Sequence, residues 1–595
     1  MNMERRSRFL RRSLVLMAFV LAWGLWLVWR VVDIQGVQAK GLAALAVGEH
    51  VHTFVVPPTR GSILSADGRV LAMDVPAYTV VAAPEAIAQA VSQLNDPHLV
   101  EQEARLLAKH LPYTVSQLAG ALRGTSWYRL IDPVISPPVA QALTAEQSRL
   151  PGVTFTPIER RLYPDGTLAA QVLGFVGTSG VGVAGLEYEE NKILSGKPGS
   201  WTVSTDVSGN PLPFTTIKKV NAKPGNSIRL TINSAIEYQV QKWLAQDVKK
   251  FDAVNGAVII MQPGTGKVLA LVNYPTFNPN DIANANPKNF NDWAVQDPVP
   301  PGSIFKPVTA SAALTDHVVK PTTMFDTVGY QYVNGVRIDD WVPGGWGWIS
   351  FTRGLELSSD QVFLDVALRL GAPRLYQMIH AYKFFQPSGI GLPGDSAGVF
   401  IPEQQVNAVD LATMGFGQGI AVTPIQEVTM INAVASDGTL YRPLLVSQVL
   451  GPNGHVIKQY DPVVEGHPIT SFVAHEIHVM MEREVGYGTG VGAQVSGYTW
   501  AGKTGTAQQI VNGQTSNTVY VSSYAGYGPM PHPRFAMVVM INHPRKPGYF
   551  YGAQVAVPLW REIAKWLMGY WHIKPYVHNN LPNGVPQGNS IPPRQ

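Results

Sequence analysis

The 595-residue chain contains no cysteine. Disulfides, thiolate nucleophiles and cysteine-based metal sites are excluded at once, while an exported location is permitted without being shown. Charge is the second scarcity: only 14% of residues are Asp, Glu, Lys or Arg, and the formal net charge is +4. Much of the basic excess is gathered at the extreme N-terminus, so bulk charge gives no case for nucleic-acid binding. The acidic residues number only 41, a composition suited to acidic surroundings because fewer carboxylates titrate there. Long apolar runs are the third scarcity. One segment alone is apolar enough to span a membrane, although 46% of all residues are hydrophobic. The remaining apolar content belongs in globular cores, and the length suffices for two or more of them.

The long run is Ser13–Trp29, uncharged, rich in Leu, Val, Phe and Trp, and preceded by Arg5, Arg6, Arg8, Arg11 and Arg12. As a helix its 17 residues rise about 26 Å, near the minimum for a hydrocarbon core of about 30 Å. The positive-inside rule keeps the arginines cytoplasmic and sends everything after Arg30 to the far side. A cleaved signal peptide competes with this reading. Val37-Gln38-Ala39 is a poor cleavage site, however, and the apolar run exceeds a usual signal core. An uncleaved anchor over residues 1–32 is expected.

From Val31 to about residue 228, short strand-like runs such as Tyr78–Ala82 alternate with helical stretches such as Pro97–His110, and Pro-Gly pairs punctuate the chain at 151, 198 and 224. A helical period then places Ile236, Val240 and Leu244 on one face of a segment spanning about Ser234–Lys250. Behind it, Ala257–Met261, Pro263–Gly266 and Val268–Val272 read as strand, turn, strand, and Phe535–Ile541 reads as a buried strand. Early and late strands around a helix-rich middle predict an α+β domain whose sheet draws on both ends of its sequence. The last 20 residues, rich in Pro, Asn and Gly, read as a disordered tail.

Three short motifs carry chemistry. In Pro301-Gly-Ser-Ile-Phe-Lys306, a serine three residues before a lysine shares a helix face with it, so hydroxyl and amine can meet. Serine is a weak nucleophile and needs a base. Lysine serves as one only when burial or a neighbouring cation depresses its pKa. Ser303 near a helix start also puts a backbone N–H where an oxyanion develops. The second motif is Ser358-Ser359-Asp360, which alone reads as a helix cap. The third is Lys503-Thr504-Gly505-Thr506, followed by an Asn512-Gly513 turn signal; the glycine lets a substrate backbone lie against a strand edge. Each is weak alone, since a serine three before a lysine arises by chance in most chains of this length. In this order, 55 and then 145 residues apart, they form the pattern of penicillin-recognising serine enzymes.

Here the chain resembles the class B penicillin-binding proteins, most closely the FtsI-type division transpeptidases. The likeness extends to Arg60-Gly-Ser-Ile63, Asp67-Gly68, Leu71-Ala72, Arg161–Thr167, Leu173–Gly177 and Gly185–Glu189, then Gly415–Gly419 with Thr423-Pro424, and finally Tyr551-Gly552 with Val557-Pro558. It implies a transpeptidase domain over 229–575, an antiparallel sheet flanked by helices. It also implies a pedestal of the dimerisation type over 33–228, a single transmembrane helix, and a free tail over 576–595. By resemblance, Ser303 attacks the carbonyl between the terminal D-alanines of a stem peptide and Lys306 accepts its proton. Ser358 relays a proton to the leaving amine, and Lys503 supplies positive charge. Asp360, Thr504, Gly505 and Thr506 line the substrate, and the backbone N–H groups of Ser303 and Thr506 form the oxyanion hole. A neighbouring amine resolves the acyl-enzyme, whereas β-lactams stay trapped on Ser303. Other implied partners are an FtsW-type glycosyltransferase and further division proteins of the cytoplasmic membrane. No metal or cofactor is implied.

One departure matters. The family usually has asparagine where this chain has Asp360. An amide donates as well as accepts, while a carboxylate only accepts and favours a charged Lys306. Elongation-type transpeptidases share the same chemistry, a carboxypeptidase or β-lactamase would use water instead of an amine, and the aspartate keeps a non-catalytic scaffold or β-lactam sensor in view. Three further motifs are set aside. Gly264–Lys267 lacks the Ser/Thr of a phosphate loop, His475–His478 is one residue short of the zinc-protease helix, and Glu403 with Asn407 reads as surface.

Overall fold

The computed structural model describes residues 3–40, 51–205, 211–511 and 514–575. The Asn512-Gly513 turn and the expected tail over 576–595 lie outside the described residues. The chain divides into two compact units, residues 1–59 with 196–224, and residues 60–195 with 225–595.

The first unit holds the helix Met3–Val32. Within residues Leu10–Val37 the mean hydropathy is 2.0, so this segment is long and apolar enough to cross a membrane. Its apolar side chains are exposed among the described residues, Phe19 and Leu25 at 72% and 71%. The same unit contains a three-stranded antiparallel sheet in the order Val51–Val56, Gly199–Thr205, Pro211–Val220.

In the second unit, a five-stranded antiparallel sheet runs Val268–Tyr274, Asn255–Met261, Phe535–Asn542, Gln514–Gly528, Ala501–Val511. It is thus assembled from residues on both sides of the helical middle, as the strand spacing predicts. Its central strands are apolar on both faces because both faces are covered. Along Phe535–Asn542, Phe535, Met537, Val539 and Ile541 enter one core, and Ala536, Val538 and Met540 enter the other. The first core is closed by helix Ser234–Lys250, through Ile236, Val240, Leu244 and Val248, together with helix Gly552–Tyr570. Asn233 caps the former by accepting hydrogen bonds from the Ala235 and Ile236 N–H groups, which fixes its first turn. The second core receives helices Lys306–Thr315, Asp360–Leu370, Pro424–Ala435 and Ser471–Tyr487.

Residues 60–195 form a module around the long strand Val70–Ala82, which pairs antiparallel with Val153–Leu162 and Arg129–Ile135. The helical stretch expected near 97–110 is the helix Leu99–Ala108. Sequence motifs that look unrelated meet here around one carboxylate. Glu187, fully buried, accepts from the Arg60 Nε at 2.6 Å and from the Arg161 Nε at 2.7 Å. Arg60 also donates to Asn191 Oδ1 and the Glu187 carbonyl, and Asp74 accepts from the Arg60 N–H and from Arg161. Asp67 reaches out of the module to the start of helix Ser234–Lys250, accepting from the Ser234 N–H and hydroxyl at 3.0 and 2.7 Å.

Candidate active site

Ser303 sits in a 3-10 turn, Gly302–Phe305, that leads directly into helix Lys306–Thr315. Close backbone contacts hold this turn in place. The Gly302 N–H donates to the Gly417 carbonyl at 3.0 Å. Gly417 has φ +83°, and a methyl group there would lie 2.1 Å from the Gly302 oxygen, so only glycine fits. On the opposite side a methyl on Gly505 would meet the Ser523 Oγ at 2.3 Å and the Ile304 Cγ1 at 3.0 Å. The missing side chain of Gly505 makes room for the nucleophile's own turn. Gly552 presses on the same strand, where an added Cβ would lie 2.2 Å from the Gly505 oxygen, and its N–H donates to Thr506 Oγ1 at 2.9 Å.

Lys306 is completely buried. Its ammonium donates to the Ser358 carbonyl at 2.6 Å, the Ser358 hydroxyl at 3.2 Å and Asp360 Oδ1 at 2.7 Å. Those three bonds use all three donors. The anticipated Ser303–Lys306 hydrogen bond is not made, and among the described residues the Ser303 hydroxyl has no hydrogen-bond partner. The ion pair is the reason: the carboxylate holds the amine on its own side. Burial pushes the Asp360 carboxyl above its ordinary range, against the opposing pull of the Lys306 charge.

The two serines of Ser358-Ser359-Asp360 divide the labour. Ser359 caps helix Asp360–Leu370, accepting from the Val362 N–H, and donates to Asp340 Oδ2 at 2.6 Å. Asp340 also accepts from the Gln361 N–H at 3.1 Å. Ser358 has φ +57°, a left-handed conformation that a serine adopts only at a cost of order 1–3 kcal/mol. That strain turns both its carbonyl and its hydroxyl toward Lys306.

Lys503 is buried on strand Ala501–Val511 and donates to the Thr504 carbonyl at 3.1 Å and the Thr504 hydroxyl at 3.3 Å. Burial pulls it down to about 8, with Glu484 opposing and the Lys306 charge assisting. The resemblance implies a substrate-lining role for Thr504. Its hydroxyl is engaged internally, with Glu484 Oε1 at 3.1 Å and the Thr489 hydroxyl at 2.5 Å. Glu484 is the residue that sequence reasoning missed. It is fully buried, accepts from the Thr504 N–H at 3.0 Å and the Thr489 hydroxyl at 2.8 Å, and lies 3.7 Å from the Lys503 ammonium. A signal was present. In helix Ser471–Tyr487, Glu484 falls on the apolar stripe of Ile477, Met480 and Met481, where a carboxylate needs a buried partner.

The three motifs, 55 and then 145 residues apart, thus occupy one cluster. Residues 256–565 match the family described as penicillin binding protein transpeptidase domain, and residues 55–230 match the penicillin-binding protein dimerisation domain. The chain belongs to the class B penicillin-binding proteins.

As such it is a serine-type transpeptidase enzyme. This penicillin-binding protein is 29% identical to the stage V sporulation protein D of Bacillus subtilis over 568 residues, 94% of this chain and 86% of the relative. It is 28% identical to the peptidoglycan D,D-transpeptidase FtsI of Escherichia coli over 524 residues, 87% of this chain and 85% of the relative. Among solved structures it is similar to penicillin binding protein 3 of Mycobacterium tuberculosis complexed with ampicillin, at TM-score 0.68 and 26% identity, covering 88% of this chain and 97% of that one.

Proposed function

We propose that this penicillin-binding protein cross-links peptidoglycan stem peptides ending in D-Ala-D-Ala during septal wall synthesis, and that β-lactams acylate the same serine. One observation carries the reading: the Ser303 turn, the Lys306–Ser358–Asp360 cluster and the Lys503 strand pack together, so a nucleophile, a base and a cation share one site. Ser303 Oγ attacks the penultimate carbonyl and passes its proton to Lys306 as the amine form. The tetrahedral oxyanion rests between the backbone N–H groups of Ser303 and Thr506. Ser358, already bonded to Lys306, relays the proton to the departing D-alanine amine. The amine of a second stem peptide then attacks the ester and regenerates Ser303. Thr506 presents its hydroxyl to the substrate, and Lys503 attracts the substrate carboxylate.

In this reading the N-terminal helix anchors residues beyond it on the extracytoplasmic face, beside an FtsW-type glycosyltransferase and other division proteins. Residues 33–228 act as pedestal. The test is mass spectrometry after incubation with benzylpenicillin, followed by proteolysis. A stable adduct of the intact drug on the peptide containing Ser303 is expected. Rapid turnover without an adduct would indicate a hydrolase, and no reaction at all a scaffold. A second reading, the same chemistry at another stage of wall synthesis, is favoured by the comparable similarity to a sporulation protein. A tagged chain concentrated at midcell supports septation, whereas dispersal along the wall supports elongation.

Asp360 gives a further prediction. Asn at this position offers Lys306 a neutral hydrogen bond in place of an ion pair, which is roughly half as strong. Lys306 is then freer to turn toward Ser303. The acylation rate of Asp360→Asn by a fluorescent penicillin is expected to be kept or raised, by up to about tenfold. A large loss would show that the carboxylate itself takes part in proton transfer.

A further inference from the structure

Each lysine of this site has its own carboxylate: Lys306 has the part-buried Asp360 at 2.7 Å, and Lys503 has the fully buried Glu484 at 3.7 Å. The second pair is built more tightly into the protein than the first. Glu484 Oε1 is held by the Thr504 N–H and the Thr489 hydroxyl, whereas Oε2 is buried without a hydrogen-bond partner among the described residues. Gly490 leaves Oε2 no slack, because an added Cβ would lie 1.9 Å from it. A carboxylate with one oxygen unsatisfied is costly to keep where no solvent reaches it. Its local return is the cation next door and the strand edge that carries it.

We propose that Glu484 is a positioning and specificity-determining residue that sets how strongly Lys503 attracts the carboxylate of an incoming substrate or β-lactam. The inference rests on the reading of the site given above. While Glu484 is ionised, Lys503 is already compensated, and a ligand carboxylate must compete with an internal one. When Glu484 is neutral, the whole charge of Lys503 faces the ligand. The sign follows from burial, which raises Glu484 above the usual carboxylate range and lowers Lys503 to about 8. Below about pH 8 Lys503 is therefore charged, and on further acidification Glu484 protonates and releases it.

The other charged groups around Glu484 do not take over this task. Arg483, its neighbour on the helix, pairs with Glu356 at 3.1 Å, and Glu356 is also paired with Arg353. Tyr524 on the adjoining strand is pushed up by burial and by Glu484, so it stays neutral. Lys306 and Asp360, which act on Lys503 through space, neutralise each other.

The experiment compares acylation of the full chain by benzylpenicillin, whose carboxylate stays ionised over the range used, and by its methyl ester, which has none. In the wild type, the ratio of second-order acylation constants, acid over ester, rises about threefold to tenfold as pH falls below about 8. In Glu484→Gln the loss of the carboxylate lowers Lys503 further, so the ratio is low at pH 8, and well below that pH, where Lys503 is charged and uncompensated, it climbs above the wild-type ratio. A purely structural role would slow both probes equally and leave the ratio alone. A flat wild-type ratio overturns the inference even if the variant cannot be folded. Failure of the wild type to react with either compound overturns the site reading beneath it.

Discussion

A Ser303→Ala chain stays folded and captures no benzylpenicillin. Folding is spared because the hydroxyl has no hydrogen-bond partner among the described residues, and the turn is held by backbone contacts from Gly417 and by Ile304 against Gly505. Removing a half-buried, unbonded oxygen changes stability by about 0.5 kcal/mol. The chemical loss is of another size. The other hydroxyls of the cluster are already engaged: Ser358 accepts from Lys306, Thr504 is bonded to Glu484 and Ser359 donates to Asp340. Loss of a nucleophile in a serine enzyme removes on the order of 10⁴-fold or more of the rate. Intact-protein mass spectrometry reads this directly, with a melting curve as the control for folding. An adduct on the variant would place the nucleophile elsewhere and end the mechanism proposed above.

Glu187→Ala is expected to have the largest effect on stability. The arginines it bridges are almost fully buried, with side-chain exposures of 5% for Arg60 and 2% for Arg161. Alanine leaves two guanidinium groups facing each other, with Asp74 and Asn191 as partial partners. Breaking a buried pair by removing one partner costs about 3–5 kcal/mol. For a domain of this size the melting temperature falls on the order of 10 °C. Thermal unfolding of the detergent-solubilised chain measures it. Acylation by penicillin well below the transition should be unaltered, because the cluster lies in the module of residues 60–195 and shares no side chain with the serine site. An unchanged melting temperature would mean that water reaches the arginines and solvates them.

These two cases also mark what a linear chain discloses. Helix Ser234–Lys250 was legible because its apolar spacing is a local property. The strands at 257, 268 and 535 were legible because runs of Val, Ile and Met have few other uses. The Ser-x-x-Lys, Ser-Ser-Asp and Lys-Thr-Gly motifs identified the site, yet not its internal bonding. That Lys306 turns to Asp360 rather than to Ser303 depends on which carboxylate arrives from another segment. Glu484 was invisible for the same reason. Its partner Lys503 is 19 residues away in sequence, and only the apolar stripe around it hinted that it was inside. Arg60, Arg161 and Glu187 stood out as family signatures, whereas their common purpose needed three-dimensional coordinates.

The turn bearing Ser303 is wedged between Gly417 and Gly505, and Gly552 presses on the strand behind, at distances where one added carbon would collide with main-chain or core atoms. Drug escape by mutation is consequently closed off at these positions, because the smallest change available would dislodge the nucleophile along with the inhibitor. Tolerance to β-lactams in this protein would have to arise from side chains around the rim that can vary without moving the floor.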